Sequence, residues 1–164
     1  MADVPIFVAV ITAGAGLVGA LIPQAALVIR EVRQAEKDRR ERFATATREA
    51  CVDLLGAAGD LRTLVENIRS YRGDAGGMRA RVEEVLNQAE ATRLHAASVS
   101  LFVPSRLATP ADKVAAAARA LADDVVRNTN LDRGVSIDRS DTRALDTGIT
   151  DFRDEAVKYA GEII

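Results

Sequence analysis

The sequence predicts an all-α chain: one N-terminal transmembrane helix continuing into an antiparallel four-helix bundle. Three observations predict it. Val4–Ile29 holds no charged side chain across 26 residues. Six cations, Arg30, Arg33, Lys37, Arg39, Arg40 and Arg42, come directly after it. From Phe43 onward, apolar residues recur at alternating spacings of three and four in separate segments, and none sustains the alternation of a strand.

The first element is the span. Ile6–Ile29 has 24 residues, which make about 36 Å at about 1.5 Å per residue, enough to cross about 30 Å of hydrocarbon with some tilt. Twelve of them are Leu, Ile, Val or Phe, each favouring insertion by about 0.3–0.6 kcal/mol, roughly 5 kcal/mol together. Pro23 and Gln24 subtract from this, but they sit near the C-terminal end, where a kink costs least. No Lys or Arg precedes the span and six lie just beyond it. The positive-inside rule therefore predicts the N-terminus outside and the rest of the chain on the cytoplasmic side of the inner membrane. Cys51 is the only cysteine, so no internal disulfide forms, which fits a reducing compartment. Thr12, Gly16 and Ala20, with Ala15 and Gly19 beside them, repeat the small-xxx-small spacing that lets two spans approach closely in lipid.

Two other readings compete for these residues. A cleaved signal peptide carries its positive charge before the apolar run, and here the charge comes after it. A dinucleotide-binding enzyme would use Ile6–Thr12 as a strand and Gly14-x-Gly16-x-x-Gly19 as the phosphate-binding turn. That fingerprint needs a second strand ending in an acid about 20 residues on. A dense mixed-charge helix, Arg30–Arg48, occupies that position instead.

Residues 30–42 form the second element, a charged juxtamembrane helix with almost no apolar face, supported by pairs such as Glu36 with Arg40 and Asp38 with Arg42. Its cations make a basic collar at the membrane surface. Residues 43–164 make the third, a cytoplasmic bundle. Its first helix carries the seam Thr47, Cys51, Leu54, Ala58, Leu61, Val65 and Ile68 and ends at Arg72, before the turn residues 73–77. The second carries Met78, Val82, Val85, Ala89, Thr92, Ala96 and Val99 and stops near Val103-Pro104. The third is expected to start with Thr109 as cap and Pro110 in first position, burying Val114, Ala118, Leu121 and Val125. Residues 128–140 read as a polar loop. The fourth helix, capped near Ser140 or Asp141, carries Leu145, Ile149, Phe152, Ala156, Tyr159 and Ile163, with Gly148 marking a close helix crossing. Aromatic residues are only 4% of the chain, so the core is expected to be thin, and a second copy or a partner would add burial.

Chemistry-bearing motifs are scarce. His95 is the only histidine, which excludes a two-histidine metal site within one chain; no cofactor is expected. Cys51 sits on the seam and reads as a small core residue. Ser98 and Ser100 share a helix with His95 and lack the context of a catalytic serine. Net charge is −2 overall and −4 over residues 49–164. With few aromatic stacking platforms, nucleic acid is not the expected partner.

Of 22 cations 19 are Arg, which suggests a GC-rich genome. One span, an Arg-rich collar and a third helix that comes after Val103-Pro104-Ser105-Arg106-Leu107-Ala108-Thr109-Pro110 resemble the small membrane-anchored helical proteins frequent in actinobacteria and their phages. The resemblance implies a single-pass architecture and carries over no catalytic residue. The expectation is a non-enzymatic membrane-anchored scaffold, partnered by the lipid bilayer and by a second copy or another membrane or cytoplasmic protein. The rival is a membrane-acting effector or pore component in defence or phage exclusion, suggested by Pro23, Gln24 and the span glycines.

Overall fold

The computed structural model describes residues 4–103, 105–130, 134–135 and 142–163, and the side chains within 30–103, 106–130 and 142–161. Four helices account for nearly all of it: α1 (Val4–Ser70), α2 (Ala75–Phe102), α3 (Ser105–Arg127) and α4 (Arg143–Ile163). Two two-residue strands, β1 (Thr129–Asn130) and β2 (Gly134–Val135), pair antiparallel within the expected polar loop. The chain divides into two compact units, Met1–Ala44 and Thr45–Ile164.

In the first unit, the backbone is helical from Val4. Ile6–Thr12 is therefore helix, and the dinucleotide fingerprint loses the strand it requires. Residues 30–43 are exposed on every side. The expected Glu36–Arg40 and Asp38–Arg42 pairs do not close. Instead Lys37 Nζ lies 3.8 Å from Glu41, and Gln34 donates to Asp38 at 3.4 Å. These side chains have water on all sides, so no burial selects among competing partners.

The second unit is a helical bundle built on the three-four seams. Thr47, Cys51, Leu54, Ala58, Leu61, Val65 and Ile68 are all buried, and so are Val114, Ala118, Leu121 and Val125. Successive helices run antiparallel. Gln88 Nε2 donates to Ala57 O at 3.1 Å, and Thr47 Oγ1 donates to Phe102 O at 3.4 Å, which sets α2 against α1. Arg106 pairs with Glu155 at 2.5 Å between α3 and α4, and Arg62 reaches Asp146 at 3.3 Å between α1 and α4. The Arg106 hydrogen bond, then that from Lys158, holds the Glu155 carboxyl below its ordinary range. A carboxylate lowered in the fold adds stability above its unfolded-state pKa and loses it as pH falls through the folded value.

Three boundaries differ from the expected ones, each for a local reason. α1 ends at Ser70, two residues early, where Arg72 Nη1 donates to the carbonyl of Arg69 in the last turn and to that of Tyr71 just beyond it. α2 starts at Ala75, so Gly76 and Gly77 lie in its first turn. Asp74 caps it, accepting from Gly77 N at 2.7 Å. Tyr71 lies over Gly73 and Gly77, where a Cβ would collide with its hydroxyl, and Arg81 stacks on the Tyr71 ring at 4.7 Å. α3 starts at Ser105, with Pro110 inside it rather than at its head. An interior proline costs about 3 kcal/mol. The extra turn buries Leu107, worth about 1.5–3 kcal/mol, and places the buried Ala111 one turn further along. The expected α4 caps, Ser140 and Asp141, lie outside the described residues.

Gly148 faces α3 at close range. A Cβ built there would lie 3.5 Å from both Cα and Cγ2 of Val114. That distance is ordinary contact, so one methyl fits and a longer side chain does not. Gly148→Ala is expected to stabilise the bundle by about 0.5–1 kcal/mol through helix propensity, whereas Gly148→Leu destabilises it. Thermal melting of the two variants checks this. Equal destabilisation by both would contradict the spacing.

Candidate interaction surfaces

The described residues carry no constellation that looks like a reaction centre. Among them, no group of three or more His, Cys, Asp or Glu side chains could hold a metal ion. Cys51 is buried, and desolvation pushes its thiol pKa up, away from nucleophilic use. Ser98 Oγ donates to Leu94 O and Ser100 Oγ to Ala96 O, each at 3.1 Å. Both hydroxyls are thus engaged by their own helix. His95 is half-buried on the same helix.

The seam forms the bundle core. Leu54, Leu61, Val65, Ile68, Val85, Val99, Val114, Leu121, Val125, Leu145 and Phe152 are buried, and Val82 and Ile149 pack partly buried against them. The span-packing residues Thr12, Ala15, Gly16, Gly19 and Ala20 have helical backbone, and their side chains lie outside the described residues. The collar cations Arg30, Arg33, Lys37, Arg39, Arg40 and Arg42 are all exposed.

Two surface features of α2 were not expected. Leu86, Leu94 and Leu101 are exposed, Leu101 to 80%. At about 100° per residue they fall within about 80° of one another, with Leu94 and Leu101 turned away from the buried Val85–Ala89–Ala96 face and Leu86 at its border. Their spacings of eight and seven were visible in the sequence, but the stronger seam on the same helix hid them. Beside Leu86, a shallow groove of roughly 200 Å³ opens between α2 and α3, lined by Ala89, Glu90, Arg93, Arg119, Ala122 and Asp123. Ligand pockets usually run to about 300–1,000 Å³. The groove's charges also satisfy one another: Arg93 contacts Glu90 at 2.6 Å and Arg119 lies 3.8 Å from Asp123. The Arg93 hydrogen bond holds the Glu90 carboxyl below its ordinary range. With both acids partnered by neighbouring arginines, the groove offers little to a polar small molecule.

No family model matches the chain, and no curated protein or solved structure matches it either. Among the described residues no helix is long and apolar enough to cross a membrane. The charge-free stretch Val4–Ile29 has its side chains outside them.

Proposed function

We propose that the protein is a non-enzymatic interaction module held at the inner membrane by a single span, Val4–Ile29, with its N-terminus outside and its bundle in the cytoplasm. One observation carries this reading: 26 consecutive residues without a charge, succeeded at once by six cations. Hydrocarbon accepts such a run, and the cations resist translocation of the chain beyond it. The helical backbone from Val4 supports the span, because a helix satisfies its own backbone hydrogen bonds in lipid. The exposed leucines of α2 support a docking role for the bundle, since a partner would remove them from water. Thr12, Gly16 and Ala20 would pack span against span in a second copy. The span, the Arg-rich collar and the stretch Val103–Pro110 together carry the resemblance to anchored helical proteins of actinobacteria and their phages.

Alkaline carbonate extraction tests the proposal. The full chain is expected to stay in the membrane pellet, and a chain lacking residues 1–29 to move to the supernatant. Release of the full chain by carbonate would overturn the anchored reading.

A further inference from the structure

Residues 30–42 hold six cations and four acids, a net charge of only +2. The net value conceals how the charges are arranged around the helix. At about 100° per residue, Arg30, Arg33, Lys37 and Arg40 fall within about 80° of one another, while Glu31 and Asp38 lie on the opposite side. Glu36 and Glu41 flank the row. Only Lys37 is engaged, with Glu41 at 3.8 Å, both side chains remaining largely in water. Among the described residues Arg30, Arg33 and Arg40 enter no ion pair, and all four cations are exposed. Their spacing of three, four and three continues, upstream, the alternation that enters the bundle at Thr47 and Cys51.

We propose that the head of this one-sided row, Arg30 and Arg33, binds the phosphates of anionic phospholipid headgroups in the cytoplasmic leaflet, with Lys37 and then Arg40 adding only a weaker, screened attraction. The assignment depends on the anchored reading of Val4–Ile29. Charge complementarity and position argue for lipid. The row begins one residue after the charge-free stretch. A rise of about 1.5 Å per residue puts Arg30 and Arg33 within about 6 Å of the hydrocarbon edge, inside a headgroup layer about 5–8 Å deep. Lys37 lies about 12 Å out and Arg40 about 16 Å, roughly a Debye length beyond the outer edge of that layer. Guanidinium forks match phosphate oxygens in pairs, and three of the four cations are Arg. An acidic helix lying along the row would instead weigh all four alike.

The test uses the full chain in bilayers of phosphatidylcholine mixed with phosphatidylglycerol. Lipids retained after detergent release are counted by native mass spectrometry. The unsubstituted chain is expected to retain phosphatidylglycerol preferentially, less so as salt rises. Each cation close to an anionic surface is worth roughly fivefold in binding. Arg30→Gln with Arg33→Gln should therefore lower the preference at least ~10-fold, and Arg40→Gln less than ~2-fold. Arg39→Gln with Arg42→Gln removes the same net charge from the other side and should also leave the preference within ~2-fold. Millimolar inorganic phosphate should not compete. Three outcomes overturn the proposal: a preference that survives loss of Arg30 and Arg33, an Arg40→Gln effect as large as that of the Arg30→Gln, Arg33→Gln pair, or displacement by free phosphate. Carbonate extraction of the same samples separates the two levels of the account. Chains that stay in the pellet without any lipid preference sink only the headgroup row, whereas a full chain washed off the membrane sinks the anchor and this proposal together.

Discussion

Phe152→Ala is expected to destabilise the bundle by about 3–5 kcal/mol. Phe152 is the largest fully buried side chain among the described residues. Among the described residues, eight of the 23 buried hydrophobics are alanine. The few large side chains therefore carry a disproportionate share of the apolar area removed from water. Neighbours as small as these cannot collapse far into the space a lost ring leaves, which keeps the cavity cost near its upper range. A domain's whole stability is about 5–15 kcal/mol, so the variant should stand close to unfolding at ambient temperature. Denaturant titration reads the effect as a fall in midpoint, and the buried Cys51 thiol should become open to maleimide at a matching denaturant concentration. Leu101→Ala is the control: its side chain is 80% exposed, and it should shift stability by no more than about 0.5 kcal/mol. A loss below about 1 kcal/mol for Phe152→Ala would contradict its placement in the core.

The second large effect concerns the other unit. Val18 lies at the middle of Ile6–Ile29. An arginine at the centre of a span costs about 2.5–3.5 kcal/mol on the insertion scale and also forfeits the valine's contribution of about 0.3–0.6. Set against roughly 5 kcal/mol of favourable insertion, Val18→Arg should remove well over half of it, about a 100-fold loss in partition. In carbonate-washed membranes a clearly larger share of the variant is expected in the supernatant than of Val18→Leu, which stays with the pellet. Retention of both to the same degree would mean that position 18 does not sit in hydrocarbon.

Where the sequence was most legible, periodicity and burial agreed. Thr47 to Ile68 and Val114 to Val125 recur at three-four spacing because one face of each helix meets the others, and every one of those positions is buried. Gly148 was readable for a related reason. A glycine in mid-helix is costly unless a neighbour comes close, and Val114 does. What was not legible came from competition between local preference and tertiary gain. Pro110 reads locally as a helix start, yet Leu107 and Ala111 are buried when the helix begins at Ser105. Gly76 and Gly77 read as turn, yet the Asp74 cap recruits them into α2. Among surface groups, Lys37 with Glu41 prevails over Glu36 with Arg40 by margins too small for spacing rules to resolve. The outer leucines of α2 were hidden for a different reason. A stripe is legible only when it is the strongest on its helix, and the buried face of α2 outweighs it.

The central claim is that Val4–Ile29 crosses a bilayer, and the water accessibility of position 18 tests it most directly. Val18→Cys in a chain also carrying Cys51→Ala places one thiol at the middle of the stretch. In sealed vesicles, a membrane-impermeant maleimide should leave that thiol unmodified from either side, and detergent should release it for complete labelling. Prompt labelling in intact vesicles would contradict the claim.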